Sequence, residues 1–244
     1  MSGLTLISVD DHLHEPPETF APRLPERLRE RGPRLEPRPE GDVWVFDGDE
    51  HPVHPLTASA GRPQAEWGTP AHYSEMRPAF YDPVARLADM DEDGVVASLC
   101  FPSFSGFSGT PFIRCAERDP ELALLSLQAY NDFVCEEWAA AAPGRYIPLV
   151  LLPLWDQVAS AAEVERTAAM GAKAIAFSEN PFRQGLPSIH DADHTPLPLS
   201  LRSTTGRLYV TIMSLRVRPN SDLSRAVAAD ESMRVTSAAS SRRR

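Results

Sequence analysis

The sequence has little of what membrane, secreted and nucleic-acid-binding proteins require. No apolar run approaches the roughly 20 residues of a membrane-spanning helix, and the first residues lack the basic and apolar regions of a signal peptide. Only 3 cysteines occur, an odd number without metal-binding spacing, which favours reduced thiols. The net charge of -10 argues against general nucleic-acid binding. We therefore expect a cytoplasmic protein that binds neither membranes nor nucleic acids.

A glycine-rich phosphate loop is also missing after the first apolar run, which weighs against a dinucleotide-binding fold. Apolar runs of strand length instead alternate with helical patterns, and the runs are apolar throughout, as in a parallel sheet buried on both faces. Strands are predicted at 4–10, 95–102, 146–154 and 172–177, and helices at 84–94, 121–144 and 155–171. This order predicts an α/β fold, either a barrel or a doubly wound sheet.

The segment 16–80 interrupts this alternation directly after the first strand. It is dense in proline, arginine and glutamate, and only "DVWVFDG" (42–48) alternates like a strand, with "DGDE" beside it resembling a hairpin turn. We interpret 16–80 as an insertion that carries a small β-ribbon.

The stretch "VDDHLHEPP" (9–17) carries the most specific chemistry, because it places two histidines at the carboxyl end of the first strand. Side chains at i and i+2 on a strand point the same way, so His12 and His14 can bind one divalent cation together. Asp10 is expected to orient an imidazole from behind, and Glu15 is a further oxygen ligand. The alternative is a polar loop with two solvated histidines.

Several motifs, taken in order, resemble the amidohydrolase-related group that includes aminocarboxymuconate-semialdehyde decarboxylase. They are "ISVDDHLHEPPETF", "RLADMDEDGV", "FPSF", "AYNDF", "AAPGRYIPLVLLPLWD", "GAKAIAF" and "GLPSIHDADH", and they span most of residues 4–194. The resemblance implies a TIM-type (β/α)8 barrel with one divalent metal, zinc or alternatively manganese. It implies hydrolysis or nonoxidative decarboxylation of a small carboxylated, possibly aromatic substrate, with His12, His14 and Glu15 as candidate ligands. A homo-oligomer is compatible with it.

The resemblance stops near residue 194, where the charge balance also changes sign. Residues 1–194 carry 31 acids against 15 Lys and Arg, whereas 195–244 carry 3 acids against 9 Arg. We therefore expect an incomplete barrel of about four to five β/α units in 1–194, followed by an atypical basic, Ser/Arg-rich tail, as in a truncated or frameshifted chain. We therefore expect impaired activity. The metal ligands that the family's later strands supply, and its acid/base histidine, have no counterpart in this sequence. An inactive fragment or binding remnant is the alternative.

Other polar residues near the predicted strand ends carry weaker indications. Glu179 and Asn180 follow the 172–177 strand and are candidates for substrate contact, although Asn180 precedes a proline and could serve only a turn. His190 and His194 have a spacing that suits a metal on a helix, but a loop that caps the next helix is the favoured interpretation. A strand within 207–217 is also compatible with the pattern.

Overall fold

The computed structural model describes residues 6–67, 72–178, 184–186 and 209–213. The strands are β1 (Leu6–Leu13), β2 (Arg34–Glu36), β3 (Val43–Phe46), β4 (Asp49–Pro52), β5 (Val95–Pro102), β6 (Tyr146–Ile147), β7 (Leu149–Leu151), β8 (Ala174–Ser178) and β9 (Tyr209–Met213). The helices are α1 (Glu26–Arg29), α2 (Pro83–Asp93), α3 (Thr110–Ala116), α4 (Pro120–Phe133) and α5 (Gln157–Ala169). Within these described residues, no helix has the length and apolar character needed to cross a membrane.

Two parallel sheets, β1-β5-β6 and β7-β8-β9, form the centre of the fold. Only Pro148 separates β6 from β7, because proline has no N–H to donate to a sheet and interrupts the predicted strand there. The strands are adjacent in the order in which they occur along the chain, which confirms the predicted mixed α/β fold with parallel pairing. Closure into a barrel stays a prediction.

The helix boundaries follow the capping signals in the sequence. Asp82 and Asp119 accept hydrogen bonds from the first turns of α2 and α4, and Gly94 ends α2 with a φ of 71°. Two details differ from expectation: α3 was not predicted, and α4 stops at Phe133, where a π-helical turn, Val134–Trp138, replaces its expected continuation.

The β-ribbon predicted inside the insertion is confirmed as the antiparallel sheet β2-β3-β4. Asp47 and Gly48 join β3 to β4 with φ values of 50° and 88°, the two positive angles of a type I′ hairpin turn. Trp44 of the ribbon stacks on Phe104, which follows β5, with ring centroids 4.8 Å apart. The ribbon therefore packs against the loop at the carboxyl end of the parallel sheet.

A β-bulge lies in β1, just before the histidines. Ser8 is opposite Ser98 and Asp11 is opposite Cys100, so β1 has one residue more than β5 between these pairs. The regular alternation of side chains is therefore broken between Ser8 and Asp11.

The only strand of the basic tail within the described residues is β9, which pairs in parallel with β8. It confirms the strand expected within 207–217 and gives it the partner that the sequence did not reveal. The division of the chain at residue 194 stays a prediction, because residues 187–208 and 214–244 lie outside the described part.

A buried asparagine of α4, Asn131, forms hydrogen bonds with both backbone groups of the last residue of β7. The Asn131 side chain accepts from Leu151 N at 2.9 Å and donates to Leu151 O at 2.9 Å. It also donates to Glu163 Oε1 of α5 at 2.7 Å, and Glu163 is itself 1% exposed. The amide therefore satisfies both backbone groups at the end of β7 and one oxygen of a buried carboxyl group.

Replacing Asn131 with alanine is expected to lower the free energy of unfolding by about 3 kcal/mol, because Leu151 and Glu163 then lose buried partners. Denaturant unfolding followed by circular dichroism measures the change. Ser126→Ala is the matched control, since Ser126 is equally buried on α4 and its Oγ has no hydrogen-bond partner among the described residues. Equal losses for the two variants would contradict the assigned role of Asn131.

Hydrogen bonds of Asp42 and Tyr73 connect the insertion to the end of β1. Asp42 Oδ1 lies 2.9 Å from His72 Nδ1, and Asp42 Oδ2 accepts from Tyr73 N at 2.8 Å. The Tyr73 hydroxyl in turn donates to the backbone oxygen of Glu15 at 2.9 Å. The hydrogen bond to Asp42 raises the pKa of His72 above its ordinary 6.5.

This raised pKa predicts a pH-dependent contribution of the His72–Asp42 pair to stability. Protonated His72 is favoured in the folded state, so the stabilisation is present below pH 6.5 and is lost as the pH rises through the raised pKa of the folded protein. In Asp42→Asn, NMR titration of His72 is expected to give a pKa closer to 6.5. An unchanged titration would show that the pair contributes nothing.

Candidate metal and substrate site

β1 delivers the two histidines to the carboxyl end of the parallel sheet. His12 lies opposite Phe101 of β5, and Leu13 is the last residue of the strand. His14 follows directly, and its N–H donates to the backbone oxygen of Phe80 at 2.8 Å. The backbone at the H-x-H motif is thus held by β5 at His12 and by Phe80 at His14.

His12 has a ring nitrogen without a partner. Its Nδ1 is buried and makes no hydrogen bond within the described residues. Phe101 and Phe107 flank the imidazole, with ring centroids at 6.2 and 5.3 Å. Burial lowers the pKa of His12, and the negative charges of Asp10 and Asp11 oppose that shift. The imidazole is therefore held mainly neutral, as a metal ligand requires.

A cavity of about 320 Å³ lies beside His12. Its lining combines acidic, basic and apolar side chains: Asp10, Asp11, Thr57, Arg77, Phe80 and Arg86 are among them. Asp10, the expected orienting residue, is exposed within the bulged part of β1 and acts on His12 through its charge. The cavity therefore combines carboxylate and guanidinium groups, and two of these, Asp11 and Arg86, form an ion pair at 3.0 Å.

His14 is more deeply buried than His12, with 1% of its surface exposed. Tyr73 and Phe80 pack edge-on against its ring, and its Nε2 lies 2.8 Å from Thr57 Oγ1. The pKa of His14 is lowered to about 3, mainly by burial and to a smaller extent by the charges of His12 and His54. The ring is therefore neutral at physiological pH.

Glu15 is fully buried, and its carboxyl group binds the loop after β5. Oε2 accepts from Ser103 N at 3.3 Å and from Phe104 N at 2.9 Å, and Oε1 accepts from Ser105 N at 2.8 Å. Burial raises the pKa of Glu15, and the amide hydrogen bonds oppose that shift. The partners seen for Glu15 are thus backbone amides, and its role as a metal ligand stays a prediction.

Two polar residues of the site were not found by sequence reasoning. Arg86 of α2 forms an ion pair with Asp11 at 3.0 Å and donates to the backbone oxygen of His12 at 3.1 Å. Burial on its own would raise the pKa of Asp11, but the hydrogen bond from Ser98 and the charge of Arg86 lower it. Thr57, the partner of His14, belongs to a 3-10 helix of the insertion, Pro55–Ala58.

Within the described residues, the candidate metal site consists of two imidazoles, those of His12 and His14. They contain no group of three or more His, Cys, Asp or Glu side chains placed to hold a metal ion. The buried, unpaired Nδ1 of His12 and the neighbouring neutral His14 nevertheless fit two nitrogen ligands of a divalent cation. Glu179, Asn180, His190 and His194 lie outside the described residues, so their predicted roles stay open.

Comparison with solved structures identifies proteins of similar fold. An amidohydrolase from Mycobacterium avium subsp. paratuberculosis K-10 is 21% identical with a TM-score of 0.60, and the match covers 85% of this chain and 59% of that one. A dihydroxybenzoic acid decarboxylase from Polaromonas sp. JS666, with bound manganese and 2-nitroresorcinol, is 20% identical with a TM-score of 0.48, covering 86% and 50%. The apo IDCase of Metarhizium anisopliae is 16% identical with a TM-score of 0.48, covering 86% and 50%.

These comparisons bear on the fold. The likeness to the mycobacterial amidohydrolase confirms the predicted resemblance at that level, and the present chain spans 59% of the length of that protein. No model of a protein family matches the sequence, and no curated protein does. The described residues therefore have a fold similar to that of the mycobacterial amidohydrolase, and the H-x-H motif of this chain lies at the end of β1.

Proposed function

We propose that this chain, whose fold is that of an amidohydrolase, is part of a metal-dependent hydrolase or nonoxidative decarboxylase. The observation that carries the proposal is the buried, unpaired Nδ1 of His12 at the carboxyl end of a parallel strand, with neutral His14 beside it. Active sites of barrel enzymes lie at this end of the strands. A buried ring nitrogen without a hydrogen bond is costly unless a ligand completes it.

In this proposal His12 and His14 hold a divalent cation, zinc or manganese, and Asp10 favours the positive charge. When bound, such a cation polarises a substrate oxygen or lowers the pKa of a bound water toward about 7. Glu15 holds the loop after β5 in place through its amide contacts. No third ligand lies with His12 and His14 among the described residues, so this proposal requires further ligands from elsewhere.

A small carboxylated compound is the substrate class that the cavity suits best. Arg77 and Arg86 line it and can pair with a carboxylate, while Phe80 offers an apolar wall for a ring. Glu179 and Asn180 remain candidates for substrate contact. Arg77 is bound to Asp89 at 2.7 Å and Arg86 to Asp11 at 3.0 Å, so a substrate carboxylate would compete with these pairs.

We also propose a cytoplasmic protein that binds neither nucleic acid nor membranes and that can form a homo-oligomer. Cys100, Cys115 and Cys135 are buried free thiols, as expected in a reducing compartment. The net charge of -10 opposes binding to polyanions.

A catalytically inactive barrel fragment is the second candidate. It is favoured by the lack of a third metal-binding side chain near His12 and His14 among the described residues. Two imidazoles alone bind a cation weakly and leave its geometry undetermined.

Metal binding separates the two candidates. The purified full chain is analysed for bound zinc and manganese, and its thermal unfolding is recorded before and after chelation. The enzyme proposal expects stoichiometric metal, a lower melting temperature without it, and release of carbon dioxide or of a hydrolysis product from a panel of small aromatic carboxylates. Absence of metal, together with melting that added zinc or manganese does not change, would reject the enzyme and favour the fragment.

A further inference from the structure

A second cavity, of about 540 Å³, lies where the chain after β1 meets the start of α2 and the end of α4. Its lining combines prolines, aromatic rings and carboxylates, and we call it the tyrosine cavity; Pro16, Glu18, Tyr73, Tyr81, Asp82 and Glu137 are among the residues that line it. It shares no lining residue with the cavity beside His12. A cavity of this volume accommodates a small molecule, so it is a separate candidate site.

The charged groups of the tyrosine cavity are all acidic. Glu18, Asp82 and Glu137 line it, and no Lys, Arg or His does so among the described residues. Glu137 is paired with Arg23, but Glu18 is exposed and has no ion pair in the described part of the chain. Asp82 accepts through Oδ1 from Val84 N at 2.8 Å and has no basic partner there either. A cation that enters the cavity therefore meets two carboxylates that no basic side chain neutralises.

Aromatic rings form the apolar wall of the tyrosine cavity. The rings of Tyr73 and Tyr81 lie with their centroids 6.0 Å apart, and Phe133 of α4 completes the wall. Phe133 directly precedes the π-helical turn Val134–Trp138, and such turns are rare and frequent at functional sites. The faces of aromatic rings attract cations, and the attraction is stronger where water is excluded. The wall and the carboxylates therefore favour the same kind of ligand.

The fold holds this wall in place before any ligand binds. The Tyr73 hydroxyl donates to the backbone oxygen of Glu15 at 2.9 Å, and Pro83 begins α2 directly after its capping residue, Asp82. A hydrogen-bonded tyrosine and a proline have little freedom left to lose on binding. The cavity is therefore preorganised.

We propose that the tyrosine cavity binds a small organic ammonium ion, a positively charged amine that carries an apolar or aromatic group. The carboxylates of Glu18 and Asp82 attract its charge, and the tyrosine rings contact both the charged nitrogen and the apolar group. The same carboxylates repel an anionic ligand. The proposal goes beyond the proposed function, because this ligand has the opposite charge to the carboxylated substrate proposed for the cavity beside His12.

Binding is measured by isothermal titration calorimetry of the full chain with phenethylammonium chloride, at constant ionic strength. Phenylethanol and phenylpropanoate carry a similar ring with a neutral and a negative end, respectively. We expect saturable binding of the ammonium ion in the millimolar range and no saturable binding of the other two compounds.

Variants of the lining test the assigned contacts. Asp82→Asn removes the charge but keeps the helix cap, because asparagine caps helices as well as aspartate does. Asp82→Asn and Glu18→Gln should each weaken binding of phenethylammonium about 2- to 5-fold, and Tyr81→Leu about 2- to 30-fold. Glu92→Gln is the matched control, because it removes one negative charge from an exposed position of α2 outside the cavity, and it should keep the native affinity.

Equal affinity for phenylethanol and phenethylammonium would overturn the proposal, because the charge of the ligand would then play no part. Absence of saturable binding would also overturn it, as would native affinity in a chain that carries both Asp82→Asn and Glu18→Gln. Should Tyr81→Leu fail to fold, the two carboxylate variants still decide. The titrations involve no metal, so their result is independent of the metal test of the proposed function.

Discussion

Replacing Glu15 with alanine is expected to lower the free energy of unfolding by about 3–5 kcal/mol, because several buried backbone amides lose their hydrogen-bond acceptor at once. The Glu15 carboxyl group accepts three backbone hydrogen bonds, from the consecutive residues Ser103, Phe104 and Ser105. No other acceptor can enter a fully buried site without rearrangement. The amides would therefore be left unpaired, and a cavity would remain.

Denaturant unfolding of the purified chain measures this loss, and Glu15→Gln serves as the graded comparison. Glutamine keeps one oxygen acceptor but turns an amino group toward a backbone N–H, so it should lose about 1–3 kcal/mol. Glu18→Ala is the control, because Glu18 is exposed and lies three residues away on the same segment. A loss below about 1 kcal/mol for Glu15→Ala would show that the loop does not depend on this carboxyl group.

Replacing His12 with alanine is expected to weaken zinc binding by more than about 100-fold, since removal of residues that merely support a ligand already costs about 10- to 100-fold. His12 has the buried nitrogen that no described residue satisfies, so the site depends on it most directly. Calorimetric titration with zinc in a competing chelator measures the change.

His72→Gln is the control for His12→Ala, because His72 belongs to the insertion and its imidazole is paired with Asp42. Circular dichroism of His12→Ala checks that the fold persists, and His12→Gln provides a bulkier variant if it does not. Native zinc affinity in both His12 variants would remove the residue from the metal site.

The sequence predicts those parts of the structure that depend on residues close together along the chain. The apolar runs predicted the parallel strands, and the predicted helices α2 and α4 begin at the capping residues Asp82 and Asp119. β1 continues to Leu13, three residues beyond the end predicted at Asp10, and therefore includes His12. These features depend on residues within one or two turns of each other.

The features of the site that the sequence did not predict depend on contacts between segments that are far apart along the chain. Glu15 meets backbone amides about 90 residues further along the chain, and backbone amides carry no sequence signal. Thr57 is 43 residues from His14 and lies in a segment without regular periodicity. For α3 a local signal did exist, since Pro111 follows Gly109 and Thr110 at its first turn. It was hidden in a Gly- and Ser-rich stretch typical of loops.

The irregular pairing in β1 also determines where this strand can change length. Val9 and Asp10 together lie opposite the single residue Leu99, between the pairs Ser8–Ser98 and Asp11–Cys100. Loss of any one of Val9, Asp10 and Asp11 would restore regular pairing between Ser8 and His12 and leave His12 opposite Phe101. Loss of Asp11 would in addition remove the ion pair with Arg86. Sequences related by a one-residue gap at this point can therefore keep the same histidine geometry.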